Sequence, residues 1–182
     1  MFERLLERIA QNLKKARIPY MVIGGQAVLL YGEPRLTKDI DITLGVDLTR
    51  LQDVLSAVSE MRLMPLVNPA TFTRETMVLP CSDPETGIRV DMIFSFSPYE
   101  QLAISRAAIV HIGTADVHFA SLEDLLIHKI IAGRPRDLED ARIILLKNPN
   151  SDNAYIRHWL AEFATLTNED YLDRLDRILS LN

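Results

Sequence analysis

The sequence contains almost no cysteine. Cys81 is the single cysteine among 182 residues, so no disulfide can form within the chain. This composition is typical of proteins from a reducing compartment and predicts a cytoplasmic protein. The four histidines show no metal-ligand spacing and Cys81 has no partner, so neither a zinc site nor a Cys–His nucleophile is expected.

Long apolar runs are also missing. The longest one covers residues 20–31, is interrupted by Gly24, Gly25 and Gln26, and is too short to span a bilayer. The first residues include acids and lack the continuous apolar stretch of a signal peptide. We therefore expect no membrane partner.

The chain has no excess of positive charge. Its net charge is −5, which argues against a protein that coats DNA or RNA by neutralising phosphates, although a local basic patch remains compatible with it. Hydrophobic residues make up 48% and charged residues 25%, as in ordinary globular proteins with a core. A length of 182 residues suits one domain, or one domain with a small helical extension.

The hydrophobic periodicity predicts an α/β (α+β) fold, a small mixed β-sheet with flanking helices. A core domain that contains the sheet is expected at 1–120, followed by a helical C-terminal extension packed on it at 121–182. Strands are predicted at 20–23, 39–44, 63–67, 72–79, 88–94, 109–112 and 117–119. Helices are predicted at 2–16, 26–31, 48–61, 97–106, 121–133, 135–146, 155–163 and 168–181.

The most informative feature is a set of three aspartates on predicted strands. Asp39 and Asp41 are two residues apart, so both point to one face of the strand while Ile40 points to the core. Asp91 lies opposite the apolar row of a later strand. A lone Asp-x-Asp is often only a solvated strand edge, but acids on a half-buried strand repel each other unless a cation offsets them. Mg²⁺, which prefers oxygen ligands, is the natural cation.

Three other groups of residues have both a structural and a functional interpretation. Gly24 and Gly25 fit a tight strand-to-helix turn, and equally a turn whose free amides bind phosphate. Arg35 and Lys38, beside the aspartates, either offset their charge or hold a triphosphate or an acceptor strand. Lys129 belongs to a helix–turn–helix pattern, for which the residue pattern alone favours a solvated position.

These segments resemble a known superfamily. Residues 22–27, with Gly24-Gly25, and residues 35–41, with Asp39-Ile40-Asp41, are similar to the signature of DNA-polymerase-β-like nucleotidyltransferases. Residues 129–132 and 136–140 resemble later motifs of the abortive-infection toxins of bacterial toxin–antitoxin pairs. The chain differs from the common superfamily signature in having Gly-Gly in place of Gly-Ser, and it is shorter than many of these toxins.

The resemblance implies a nucleotidyltransferase fold and transfer of a nucleoside monophosphate from an NTP to an acceptor hydroxyl. Two Mg²⁺ ions would be held by three catalytic aspartates, with Asp91 as a further ligand or as the base. The implied metal ligands are Asp39, Asp41 and Asp91. The implied nucleotide-binding residues are Gly24, Gly25, Thr37, Lys38, Lys129 and Arg134.

The resemblance leaves the acceptor and the cellular role open. An RNA 3′ end such as that of tRNA, a protein side chain and a small-molecule hydroxyl all fit as acceptors. A toxin would have an antitoxin partner. The alternative is a non-catalytic nucleotide-binding or antitoxin-like partner-binding module of the same fold.

Overall fold

The structure is a computed structural model that describes residues 1–180. The described chain forms two compact units. The first contains residues 1–26 and 37–120, and the second contains residues 27–36 and the chain from Ser121 onward. The predicted last helix ended at Leu181, which lies outside the described residues.

The first unit is built on a seven-stranded mixed sheet with the order β3-β4-β5-β2-β1-β7-β6. Strand β2 pairs in parallel with β5 and antiparallel with β1, which in turn pairs in parallel with β7. The strands are β1 Tyr20–Ile23, β2 Asp39–Leu44, β3 Met64–Pro65, β4 Val78–Ser82, β5 Arg89–Phe94, β6 Ala108–Ile112 and β7 Ala115–Phe119. The candidate aspartates therefore lie in the middle of the sheet.

Helices cover the sheet of the first unit. Helix α1 has an apolar stripe at helical spacing, and this stripe is buried against β6 and β7. A short 3-10 turn at Leu48–Arg50, in which Asp47 accepts a hydrogen bond from the amide of Thr49, leads into α3. The helices of this unit are α1 Phe2–Lys15, α3 Leu51–Glu60, α4 Pro69–Thr76 and α5 Pro98–Ser105, and α2 Gly24–Tyr31 begins in it.

The second unit is helical. Helix α6 contacts α7, α8 and α9 within it, and the residues facing these contacts, such as Leu126 and Ile130, are fully buried. Its helices are α6 Leu122–Ala132, α7 Pro135–Lys147, α8 Asn153–Thr167 and α9 Tyr171–Ser180, together with most of α2. No helix among the described residues is both long and apolar enough to cross a membrane.

The predicted mixed α/β fold is confirmed, and one predicted element is wrong. Residues 72–79 were expected to form a strand, but they are divided between α4 and β4. Asn68 accepts hydrogen bonds from the amides of Ala70 and Thr71, and Pro69 occupies the first turn. These start signals outweigh the strand preference of the threonines and Phe72.

Candidate active site

The register of β2 and β5 brings the three predicted aspartates onto one surface. Asp41 is paired with Asp91 across the two parallel strands, and Asp39 precedes Asp41 by two residues. Paired residues on adjacent strands share a face of the sheet, as do residues two apart on one strand. Ile40, Ile42 and Met92 point the other way and are completely buried. The structure thus brings Asp39, Asp41 and Asp91 together on the face opposite the apolar row.

Gly24 closes one side of this surface at the end of β1. Its φ is +64°, a left-handed conformation that glycine adopts without steric cost. Asp41 is paired with Ile23, the residue before Gly24, and its carboxylate lies over the glycine. A Cβ at residue 24 would overlap Oδ2 of Asp41 and lie 3.0 Å from its Cγ. The turn therefore needs glycine both for its backbone angle and for the approach of Asp41.

Thr37 and Lys38 precede β2 and were predicted to bind nucleotide. The Thr37 hydroxyl donates to the main-chain oxygen of Asp39 at 3.1 Å and reaches its Oδ1 at 3.3 Å. Thr37 thus orients the first aspartate. Lys38 is exposed to solvent. The role of both residues in nucleotide binding stays a prediction.

Asp91 has a cationic partner on its own strand. The Arg89 Nε donates to Asp91 Oδ1 at 2.8 Å. The pKa of Arg89 is raised, first by this hydrogen bond and by the charge of Asp91, and further by the charges of Asp39 and Asp41. Arg89 was assigned no function from the sequence, although its spacing of two residues from Asp91 puts both on one face of the strand.

The acids fit a hard divalent cation by their chemistry, because all three offer carboxylate oxygens in a half-buried position. Within residues 1–180, no group of three or more His, Cys, Asp or Glu side chains is arranged to hold a metal ion. Asp91 is engaged by Arg89 in this arrangement. A metal ion bound by Asp91 would therefore compete with Arg89 for the charge of this carboxylate.

Two further side chains of the first unit, an amide and a thiol, are buried. Gln26, two residues after Gly24, is 5% exposed, and its buried Nε2 has no hydrogen-bond partner within residues 1–180. A buried unpaired donor in a native structure calls for an explanation. The sequence already indicated this position, because Gln26 is a polar amide within an apolar run.

Burial, and then the charge of Asp91, raises the pKa of Cys81 to about 12. The Cys81 thiol is therefore not a nucleophile at neutral pH.

Lys129, a predicted triphosphate ligand, lies in the second unit in a buried ionic cluster. It is 5% exposed, so the solvated position that the residue pattern favoured is wrong. Its Nζ donates to Asp137 Oδ1 at 2.6 Å and to Asp140 Oδ2 at 2.9 Å. The lysine on α6 thus joins two carboxylates on successive turns of α7.

Two arginines extend this cluster. Arg134 Nε donates to Asp137, and Arg35 donates to Asp140 at 3.0 Å. Burial alone would raise the pKa of Asp137, but hydrogen bonds from Lys129 and Arg134 prevail and hold it below its ordinary value. The cluster is well compensated, as buried charges must be. Nucleotide binding by Lys129 and Arg134 stays a prediction.

Solved structures with the same fold include nucleotidyltransferases. The antibiotic-resistance factor ANT(2″)-Ia superposes with a TM-score of 0.58 at 14% identity, covering 91% of this chain and 95% of its own. The lincosamide antibiotic adenylyltransferase LnuA has a TM-score of 0.54 at 17% identity, covering 78% of this chain and 94% of its own. An antigenic nucleotidyltransferase-like protein from Paracoccidioides brasiliensis has a TM-score of 0.56 at 18% identity, covering 96% and 91%. At such identities the likeness shows a common fold.

Sequence comparison gives the family. No curated protein matches the chain. Residues 1–151 match the model of a family described as "Nucleotidyltransferase of unknown function (DUF6036)". The match includes the Gly24–Gly25 turn, the three aspartates and the Lys129 cluster, and it extends over most of the chain. The predicted membership of the nucleotidyltransferase superfamily is thereby confirmed, and the chain belongs to this family of nucleotidyltransferases.

Proposed function

We propose that the protein is a Mg²⁺-dependent enzyme that transfers a nucleoside monophosphate from an NTP to an acceptor hydroxyl. The observation that carries the proposal is the set of three aspartates on one face of β2 and β5, next to a glycine turn. Two Mg²⁺ ions bound there would activate the acceptor hydroxyl and offset the charge of the leaving pyrophosphate.

The protein's own residues would position the reactants. Asp39 and Asp41 would hold the metal, with Thr37 fixing Asp39 through its hydrogen bond. Asp91 would serve as a further ligand or take the proton of the hydroxyl. The amides of Gly24 and Gly25, which lie at the start of α2, would bind phosphate oxygens. The acceptor oxygen would bond to the α-phosphorus as the bond to the β-phosphate oxygen breaks and pyrophosphate leaves.

The helical unit and its charged residues have a less direct place in the proposal. Lys129 and Arg134 would meet triphosphate charge only if they exchange partners, because Asp137 now engages both. A structural role, in which Lys129 and Arg134 hold α6 and α7 together through Asp137, requires no such exchange.

A small-molecule hydroxyl is the first acceptor class to test. ANT(2″)-Ia has been solved in complex with adenylyl-2″-tobramycin and LnuA with lincomycin bound, and both share the fold of this chain. An RNA 3′ end and a protein side chain are the other classes. A toxin role with an antitoxin partner, and a cytoplasmic location, are predictions from the sequence.

The test is incubation of the protein with each of the four NTPs, labelled at the α-phosphate, in the presence of Mg²⁺. Small-molecule extract, RNA and protein from a lysate would be offered separately. We expect label to appear in one fraction together with pyrophosphate release, and both to fall on the order of a thousandfold in Asp41→Asn, since a group that stabilises transition-state charge is lost. Equal labelling by wild type and Asp41→Asn would refute the catalytic assignment. NTP binding without transfer to any fraction would favour the non-catalytic module.

A further inference from the structure

Arg89 occupies a particular position among the three acids. In the register of the parallel pair, Asp39 lies opposite Arg89 just as Asp41 lies opposite Asp91. These four residues therefore form the corners of one small surface, three anionic and one cationic. The face of the sheet that is suited to a metal ion already contains a positive charge supplied by the protein.

The contacts of Arg89 involve this surface. Its Nε lies 2.8 Å from Asp91 Oδ1, and the charges of Asp39 and Asp41 also raise its pKa. The guanidinium cannot lose its proton at any pH of interest. Arg89 is consequently a permanent cation on the surface that carries the three carboxylates.

The arginine is attached loosely enough to move. Its side chain is 55% exposed, whereas that of Asp91 is only 18% exposed. Exposed ion pairs contribute little to stability, so the guanidinium can leave Asp91 at small cost. The carboxylate, held on a central strand, cannot move equally far.

We propose that Arg89 is an internal counter-cation that competes with a divalent metal ion for Asp91. It keeps the affinity of the nucleotide-free enzyme for metal low, and it is released when a nucleotide brings metal and triphosphate charge together. This inference rests on the proposed function, because it assumes that the acids bind metal. Arg89 acts through Asp91 and is a positioning residue.

The test is a titration of the full chain with Mn²⁺, without nucleotide, in which unbound Mn²⁺ is measured by electron paramagnetic resonance. Mn²⁺ prefers oxygen ligands, as Mg²⁺ does. Arg89→Gln removes the charge and retains a polar side chain. We expect it to bind Mn²⁺ about tenfold more tightly than wild type, because one unit charge at close range is lost. Arg89→Lys, which retains the charge, should lie near wild type.

Lys15→Gln is the matched control. Lys15 forms an exposed ion pair with Glu60 in the same unit, so the variant loses one positive charge away from the acids. Its Mn²⁺ affinity should change by less than about twofold, because exposed charges far apart are screened. The stabilisation by Mn²⁺, measured as a shift of Tm, should likewise increase in Arg89→Gln alone.

The outcomes separate the two proposals. Wild-type Mn²⁺ binding that Asp41→Asn abolishes, with equal affinity in Arg89→Gln, overturns the counter-cation role and leaves the metal site intact. An increase in Mn²⁺ affinity that Lys15→Gln shows to the same extent as Arg89→Gln also overturns the counter-cation role. Absence of any Asp41-dependent binding, in wild type and in Arg89→Gln alike, overturns the metal assignment of the proposed function and this inference with it.

Discussion

At the scale of single residues, Gly24 and Asp41 restrict each other. The glycine has a positive φ, and the aspartate carboxylate lies where a side chain would begin. Because Asp41 projects from a central strand, it has little freedom to retreat. The identity of residue 24 is therefore determined by the position of the acid and by the backbone together.

We expect Gly24→Ala to destabilise the protein and to abolish transfer. The left-handed backbone alone costs an alanine roughly 1–2 kcal/mol, and displacement of Asp41 adds to this. The free energy of unfolding from urea titration and the rate of pyrophosphate release measure the two effects.

Gly87→Ala is a suitable control for Gly24→Ala. Gly87 also has a positive φ, +72°, but a Cβ there would meet no atom of the described part of the chain within 4 Å. It should show the backbone cost without loss of activity. If Gly24→Ala and Gly87→Ala lose the same free energy of unfolding and both stay active, the close contact of residue 24 with Asp41 does not matter for activity.

The faces of the three aspartates could be predicted from the sequence, since a period of two residues determines the face of a strand. The arrangement of Arg89 opposite Asp39 could not, because it depends on which strands are neighbours. Strand β5 is separated from β2 by α3, β3, α4 and β4 along the chain, and no local pattern encodes that pairing.

At the scale of secondary-structure elements, a buried lysine links α6 to α7. Lys129 lies on α6, and both of its carboxylate partners, Asp137 and Asp140, lie on the first turns of α7. Without Lys129, the two buried carboxylates would be compensated only by Arg134 and Arg35, whose side chains are less buried than the lysine. The interhelical contact should therefore depend strongly on this residue.

We expect Lys129→Met to lose roughly 3–5 kcal/mol of unfolding free energy, the usual cost of breaking a buried ion pair by deleting one partner. Chemical denaturation followed by circular dichroism measures it. Arg177→Met is the control, because Arg177 is a strongly exposed cation on α9 of the same unit and pairs with Asp173 of its own helix. A loss no larger than that of Arg177→Met would exclude a structural role. Weakened NTP binding with unchanged stability would instead support contact with nucleotide.

The same cluster should make stability sensitive to acid. Since the pKa of Asp137 is lowered in the folded protein, its contribution is fully present above the unfolded value, near 3.9, and is lost as pH falls through the folded value. We expect the free energy of unfolding to decline below about pH 4. The decline should be shallower in Asp137→Asn, which has no proton to take up. Urea titrations at pH 2–6 measure it, and identical slopes in both proteins would contradict the assignment.

Elements with a clear period or capping signal could be predicted from the sequence, as α1, β2 and the hairpin of β6 and β7 illustrate. Residues 72–79 could not, because Thr and Phe favour strands while the decisive hydrogen bonds of Asn68 lie upstream. The burial of Lys129 was also unpredictable, since its partners are on another helix whose packing the residue pattern does not specify.

At the scale of the whole molecule, metal binding should stabilise the fold. A ligand at a concentration of about one hundred times its dissociation constant adds about 2.7 kcal/mol to the free energy of unfolding. For a chain of this size this corresponds to a rise in Tm of roughly 5–10 °C. We expect Mg²⁺ to raise the Tm accordingly, and a chelator to reverse the effect. The double variant Asp39→Asn with Asp41→Asn should show no shift. A shift of equal size in that variant would place the ion elsewhere.

The helical unit is assembled from two separate stretches of chain. Asn148 donates to the carbonyl of Tyr31 at 3.0 Å, Lys147 donates to that of Gly32 at 3.0 Å, and Arg35 pairs with Asp140. Recombination between related genes with one crossover near residue 120 would join residues 27–36 to a foreign α7. The hydrogen bonds and the ion pair between the two stretches would then form only if the foreign residues happened to be complementary. Chimaeras should therefore exchange both stretches together, and the two are expected to be inherited as one block although 84 residues, 37–120, lie between them.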